Sequence, residues 1–397
     1  MVDHKDMRKN ERERPGARST NRWNYSSEYH LQEAEQALLS TTLKQQQQHP
    51  GQRHKYNYNS YDTRLVEVDH PTIRDSDKPC NVWTLIFNKH ATNTPIVLIH
   101  GYGSGVGWWC MNYEKLSENR PVYALDLIGF GQSSRPHFSS DPLQIEEQWV
   151  NSIESWRQKV LNTDKFILLG HSLGGFIATS YAMRHHDKIK HLILVDPWGF
   201  SEDRPSTTMS LIGRLLNPLS FFRWAGPLGL PLLRNMRSDI TRKFSTPLAL
   251  EYLYHCMAAK KPTGEVAFKN LMVGYAWAKR PMMTRMRTIF LWPTSKYQLP
   301  MTFIYGQNSW IDKRPGFLIK GMAKKSQVNV NVKIVPGAGH QVNVDAVEKF
   351  NNLVNRIGEC VDNGKYLPSN EQDNEHDYYN HQGINLRRMI RAVLNWV

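Results

Sequence analysis

The chain has 397 residues, 40% hydrophobic and 22% charged, with 50 Lys+Arg against 36 Asp+Glu and a formal net charge of +14. That balance excludes collagenous, coiled-coil and wholly disordered proteins, and the length suits one large domain with appendages as well as roughly two to three smaller ones. The basic excess predicts attraction to a polyanion, whether nucleic acid, anionic lipid or a phosphorylated substrate.

The chain begins Met1-Val2-Asp3-His4-Lys5, without the apolar core of a secretory signal. Residues 1–61 are polar and low in complexity and are expected to be largely disordered. Within them, residues 30–39 read as a short amphipathic helix with Leu31, Ala34 and Leu38 on one face. From residue 62 the pattern changes to short apolar runs at 82–87, 96–99, 122–125, 166–169, 192–195, 301–305 and 328–335, with helical stretches between them. Such alternation predicts an α/β fold with a mainly parallel sheet covered on both faces. Residues 145–161 carry Ile145, Trp149, Ile153, Trp156 and Val160 at helix spacing, and a second helix starts at Leu173. Between 199 and 299 the strand rhythm stops, and Pro-punctuated, aromatic-rich helical segments take over, including 211–216, 248–259 and 266–277. The expected organisation is a core at 62–198 and 300–361, a helical cap at 199–299, and a polar tail at 362–397 that ends in a basic amphipathic helix from Ile384.

No segment reaches the ~18 to 20 apolar residues that span a bilayer, so any membrane contact is expected to be peripheral. Cys80, Cys110, Cys256 and Cys360 form no C-x-x-C pair, which predicts reduced thiols, a cytoplasmic setting and no zinc site. No cofactor and no nucleic-acid motif is read from the chain.

Gly170-His171-Ser172-Leu173-Gly174 is a G-x-S-x-G placed directly after an apolar run and before a helix. In that context a sharp turn lifts the serine oxygen off the strand end, which predicts a nucleophile elbow at Ser172. His100-Gly101-Tyr102-Gly103-Ser104-Gly105 follows another strand, so the Tyr102 and Leu173 N–H groups are candidates for an oxyanion hole. No Gly-Lys-Ser/Thr ending follows, which argues against a phosphate loop. The base is expected at His340, on the loop after the run 328–335. The orienting acid has two candidates, Asp312 after the run 301–305 and Asp196 at the end of the run 192–195. Asp312 is preferred, because the acid usually follows the penultimate strand and Asp196, beside Pro197, suits the turn into the cap. His340 and Asp345 also have the H-x4-D spacing of glycerolipid acyltransferases, although Asp345 equally suits an N-cap for a helix at 346–358.

Across residues 62–361 these motifs resemble the α/β-hydrolase-domain subfamily made up of members four and five. The resemblance rests on the elements above together with Asp126-Leu127-Ile128-Gly129-Phe130-Gly131-Gln132-Ser133-Ser134-Arg135-Pro136, Val195-Asp196-Pro197-Trp198-Gly199-Phe200 and Trp277-Ala278-Lys279-Arg280-Pro281. It implies an α/β-hydrolase fold and one of two functions. The member-four branch keeps a nucleophilic serine and cleaves acyl esters of lysophospholipids and N-acyl phosphatidylethanolamines. The member-five branch has Asn at that position and coactivates a triglyceride lipase at lipid droplets; lysophosphatidate acyl transfer has also been assigned to it. Ser172 favours the hydrolase branch, with a phospholipid or lysophospholipid as substrate. The other implied class is a lipid-droplet regulator that contacts a triglyceride lipase or a droplet coat protein.

The charge is unevenly spread. Residues 201–300 hold 15 Lys+Arg and 5 Asp+Glu, a net of +10, with Arg214, Arg223, Arg234, Arg237, Arg242 and Lys243 interleaved with Phe221, Phe222 and Trp224. This composition suits a surface that lies on anionic lipid or on the monolayer of a lipid droplet.

Overall fold

The computed structural model describes residues 26–47, 61–69, 79–203, 218–273, 277–291 and 298–368. The helical segment expected at 211–216 and the basic helix expected from Ile384 lie outside these residues. Each apolar run in the sequence forms a strand: β2 (Cys80–Phe87), β3 (Ile96–Ile99), β4 (Val122–Leu125), β5 (Phe166–His171), β6 (Ile189–Val195), β9 (Met301–Gly306) and β10 (Val330–Val335). With β1 (Asp62–Val68) they make one eight-stranded sheet of order β1-β2-β4-β3-β5-β6-β9-β10. β1 and β2, and β2 and β4, pair antiparallel, while every other neighbour is parallel.

The sheet is covered on both sides, and alternate residues serve alternate faces. In β5, Phe166 and Leu168 join one apolar cluster, and Ile167 and Leu169 join the other. On the first face lie α3 (Pro142–Val160) and α4 (Leu173–His185). Asp141 starts α3 by accepting hydrogen bonds from the Leu143 and Gln144 N–H groups, each 3.0 Å long, and Pro142 occupies the first turn. Trp149, Trp156, Phe176 and Tyr181 fill the layer beneath them. On the second face lie α1 (Glu28–Gln47), the short α2 (Tyr113–Leu116) and, near the C-terminal end, α13 (Val347–Asp362).

The N-terminal helix is longer than its sequence pattern suggested and belongs to the folded body. Leu31, Leu38, Leu39 and Leu43 are buried on one stripe. Its entry is fixed where Ser26 Oγ meets His255 Nδ1 at 2.7 Å.

Between β6 and β9 the chain is helical: α5 (Pro218–Trp224), α6 (Gly229–Met236), α7 (Ser238–Phe244), α8 (Leu248–Ala258), α9 (Thr263–Leu271) and α10 (Met282–Leu291). A short antiparallel pair, β7 (Met272–Val273) and β8 (Trp277–Ala278), interrupts the series. These elements roof the carboxyl edge of the sheet. Their base is tied down by buried Glu146 of α3, which receives Arg280 Nη1 at 3.2 Å, Arg285 Nη1 at 2.8 Å and Ser180 Oγ at 2.7 Å. After β9 and β10 come α11 (Arg314–Lys325) and α12 (Val342–Asp345).

Candidate active site

The end of β5 turns sharply into α4 through Ser172, whose φ of 53° and ψ of −117° lie outside the relaxed regions for a side-chain-bearing residue. The turn is held on both sides. The Ser172 N–H donates to the Val195 carbonyl at 3.0 Å, and the Ser172 carbonyl accepts from the Gly175 and Trp198 N–H groups at 3.0 and 3.1 Å. The flanking glycines are a packing requirement. A Cβ on Gly170 would run into the Gly174 carbonyl, and a Cβ on Gly174 into the carbonyls of Ile99 and His100.

His340 stands on the loop after β10, and its Nε2 is 3.0 Å from Ser172 Oγ. Its other ring nitrogen, Nδ1, lies 2.5 Å from Asp196 Oδ2. A carboxylate only accepts, so Nδ1 carries the proton and Nε2 is left to accept the serine hydroxyl. Asp196 is fully buried, has a φ of 45°, and ends β6. It is fixed by the Gly306 N–H at 3.3 Å and by the Ser309 hydroxyl.

The preference for Asp312 is therefore corrected. Asp312 lies on the same loop after β9, but its carboxylate is gripped by Arg314, with Nε–Oδ1 at 2.9 Å and Nη2–Oδ2 at 2.7 Å. It also accepts the Arg314 N–H at 3.1 Å, at the start of α11, and Ser201 Oγ at 3.2 Å. An acid already matched by a guanidinium fork and engaged at a helix start is not available to an imidazole. Sheet order supplies the reason for Asp196: β6 lies directly beside β5, in register His171 to Val195, so the residue after β6 emerges next to the one after β5. The Asp-x-Arg spacing of Asp312 and Arg314 was the one available hint in the sequence.

Asp345 does not reach the imidazole either. Its Oδ2 accepts the Gly339 N–H at 2.7 Å, and its Oδ1 pairs with Lys243 of α7 at 2.5 Å. The H-x4-D spacing thus makes a brace that ties the histidine loop to the roof, and no histidine–aspartate dyad. Nor does Asp345 cap the following helix, which begins at Val347 without a side-chain cap.

Two further imidazoles lie close by and stay neutral. Burial pushes His171 down to about 3 and His100 down to about 4. His171 Nε2 meets the His340 carbonyl at 2.9 Å, steadying the histidine loop from below. His100 donates from Nδ1 to the Gly101 carbonyl at 2.7 Å and accepts the Leu127 N–H at Nε2, which shapes the loop bearing Tyr102. Two side chains that sequence reasoning missed complete the setting. Trp310 places its ring centre 5.4 Å from that of His340, and Trp108 Nε1 donates to Gln341 Oε1 at 2.8 Å.

Above Ser172 a cleft partly open to solvent is lined from below by Gly101, Tyr102, Gly103 and His340. Its upper wall comes from the roof and is mainly apolar, with Leu219, Leu233, Ile240, Leu253 and Met257 beside Arg237. Tyr102 thus borders the space above the serine, and Leu173 is the first residue of α4 beside it. A strand-turn-helix serine, a histidine one bond away and a roofed apolar cleft at the carboxyl edge of a mainly parallel sheet are the defining arrangement of an α/β hydrolase.

Comparison with known proteins agrees. Residues 94–347 match the α/β hydrolase fold family. The chain belongs to that family, and its similarity falls in the subfamily of members four and five. It is 44% identical over 298 residues to the rat (Rattus norvegicus) 1-acylglycerol-3-phosphate O-acyltransferase ABHD5, covering 71% of this chain and 82% of that protein. It is 42% identical over 297 residues to the bovine (Bos taurus) (lyso)-N-acylphosphatidylethanolamine lipase, covering 71% and 84%. Among solved structures, a thermophilic esterase from Thermogutta terrifontis shares the fold with a TM-score of 0.53 at 20% identity, over 75% of this chain and 99% of the esterase.

Proposed function

We propose that the protein is a serine hydrolase of glycerophospholipid acyl esters, with Ser172 as nucleophile, His340 as general base and then acid, and Asp196 as the orienting carboxylate. The observation that carries this reading is the continuous relay from Ser172 Oγ through His340 to Asp196, at 3.0 and 2.5 Å. As Ser172 Oγ attacks the acyl carbonyl, its proton passes to His340 Nε2, and the Asp196 carboxylate stabilises the imidazolium through Nδ1–H. The Tyr102 and Leu173 N–H groups are assigned to the oxyanion. The protonated Nε2 next gives its proton to the leaving glycerol oxygen. Water, deprotonated by the same nitrogen, then releases the fatty acid and restores the serine.

The substrate class follows from both relatives, whose names each specify a phosphate-bearing acylglycerol lipid. Acyl transfer is the same chemistry with a lipid hydroxyl in place of water. The environment of Asp345 gives no support to a separate acyltransferase dyad, so transfer would run through Ser172.

Contact with a lipid surface is part of the reading. Phe221 and Trp224 of α5 and Leu228 just after it are 51%, 85% and 69% exposed, three large apolar side chains presented to solvent by one short stretch of the roof. Among the described residues no helix is long and apolar enough to cross a membrane.

The test is labelling of the purified chain with a fluorophosphonate, followed by turnover of a lysophospholipid. Labelling and fatty acid release that vanish in Ser172→Ala are the expected result. Fatty acid release that persists in Ser172→Ala would overturn the assignment.

A further inference from the structure

Resting on the hydrolase reading, one charged side chain in the cleft has no part in the relay. Arg237 sits at the junction of α6 and α7 and lines the same cleft as Ser172. It is only 8% exposed, and besides the imidazoles it is the sole cationic group among the described residues lining that space. Among the described residues no carboxylate lines the cleft. Asp239, outside it, accepts from Nε at 3.0 Å and from Nη2 at 3.2 Å, which leaves the Nη1 amino group without a hydrogen-bond partner among the described residues. Burial would raise the Asp239 carboxyl, yet the Arg237 fork and Lys243 hold it below the usual carboxylate range, so the pair stays ionised and the guanidinium is pinned in one orientation.

The surroundings separate the two ends of a substrate. Leu233 of α6, Arg237 at the break between the helices and Ile240 of α7 all line the cleft. An acyl chain is matched by Leu233, Ile240, Leu253 and Met257. With its Nε–Nη2 edge held by Asp239, the Arg237 guanidinium keeps Nη1 as a cationic donor, and a phosphate oxygen is the acceptor that suits it.

We propose that Arg237 is the headgroup anchor of the site, binding the phosphate of an acylglycerol phosphate while Asp239 holds the guanidinium in place. It is a specificity-determining residue: it discriminates phosphate-bearing from neutral acylglycerols and takes no part in proton transfer.

The experiment compares 1-octanoylglycerol 3-phosphate with 1-octanoylglycerol, which share the acyl ester and differ only in the phosphate. For Arg237→Gln, kcat/KM on the phosphate ester is expected to fall about 10- to 100-fold, the range for losing a charge-assisted hydrogen bond, with turnover of the neutral ester changed by less than about 3-fold. Asp239→Asn loosens the turn but keeps the cation, so the preference for the phosphate ester survives in it even if thermal stability drops. Equal losses on both esters in Arg237→Gln, or no loss on either, would overturn the proposal. Binding of both compounds to Ser172→Ala, with and without Arg237→Gln, supplies an arm that does not depend on turnover. A weakened affinity for the phosphate ester alone supports the anchor even where labelling of Ser172 fails, and unchanged affinity refutes it even where labelling succeeds.

Discussion

At the carboxyl edge of the sheet, position is set by backbone. Ser172 and Asp196 leave β5 and β6, strands paired on both sides, and the His340 loop leaves the edge strand β10; the turns are locked by main-chain hydrogen bonds and by glycines that admit no side chain. The roof is built differently. Its helices run from 7 to 11 residues, below the ~12 to 15 at which an isolated helix holds in water. They are kept in place by apolar burial and by ion pairs: Arg223 with Glu265, Arg234 with Glu251, Lys243 with Asp345, and Arg280 and Arg285 with Glu146. The comparison teaches where each property resides. Chemistry depends on the rigid edge, whereas substrate choice and surface contact lie in the part whose side chains can be exchanged one at a time. It also shows that part of the roof's positive excess is matched internally, two of those acids being supplied by the core.

The largest effect should come from the edge. Asp196→Asn leaves the shape but forces the wrong tautomer on His340, and kcat on a short soluble ester should fall about 10³- to 10⁴-fold. Asp312→Asn should cost less than about 10-fold, because the acid it removes serves Arg314 and α11. Should the two variants show the reverse order, the assignment of the acid to Asp196 would be wrong.

The tie between the two regions should register next, in stability. Glu146→Ala strands Arg280 and Arg285 beside a fully buried vacancy and removes the partner of Ser180. About 3 kcal/mol should be lost, read by chemical denaturation, because the remaining charges are deprived of a buried counterion. A loss well below 1 kcal/mol would mean that apolar packing alone holds the roof.

The same contrast explains what could be read from sequence. All seven apolar runs became strands; β3, β5, β6 and β9, buried along nearly their whole length in the parallel part of the sheet, demand nearly continuous apolar residues, and that pattern is the most direct to read. The elbow was legible because a serine between glycines, after a strand and before a helix, meets a steric requirement. The acid was not, since two aspartates each followed a strand, and the choice turned on a lateral relation, β6 beside β5, together with the guanidinium fork that occupies Asp312. The N-terminal helix was underestimated for a similar reason. Polar residues dock beside its leucines: Glu35 accepts Trp83 Nε1 at 2.8 Å and Gln132 Nε2 at 2.7 Å, contacts that no local pattern announces.

That helix also provides a pH test of how core and roof are joined. Glu35 of α1 and Asp126 of the core are both buried, with Tyr252 of α8 nearby. Burial and the Asp126 charge push Glu35 up to about 8, and burial pushes Asp126 up to about 6, although the Gln132 and Val106 N–H groups and then Arg135 and Lys260 partly offset it. Both groups hold their protons in the folded state at pH values where the unfolded chain has lost them. The contribution of this pair to stability should therefore be greatest below the ordinary carboxylate range, fall as pH rises towards about 8, and level off beyond. Glu35→Gln should flatten that fall, measured as the melting temperature near pH 5 and near pH 8. An unchanged slope in the variant would assign the effect to other groups.

The smallest effect should come from the outer surface of the roof. Trp224 and Leu228 are exposed and Phe221 is half exposed, so replacing them with serine should leave folding and turnover of a soluble ester within about 2-fold of the parent chain. Partitioning is where they should tell. A few exposed apolar side chains contribute at most ~1.5–3 kcal/mol each when fully buried, and less at an interface, so each substitution should weaken binding to vesicles by only several-fold. The triple variant should lose most of the salt-resistant part, read by co-sedimentation with vesicles of mixed phosphatidylcholine and phosphatidylserine at low and high ionic strength. Arg242→Ala, on the same roof, should instead lower the salt-sensitive part. If both variants bind like the parent chain, the roof is not the membrane-facing surface, and the exposed aromatics belong to some other contact.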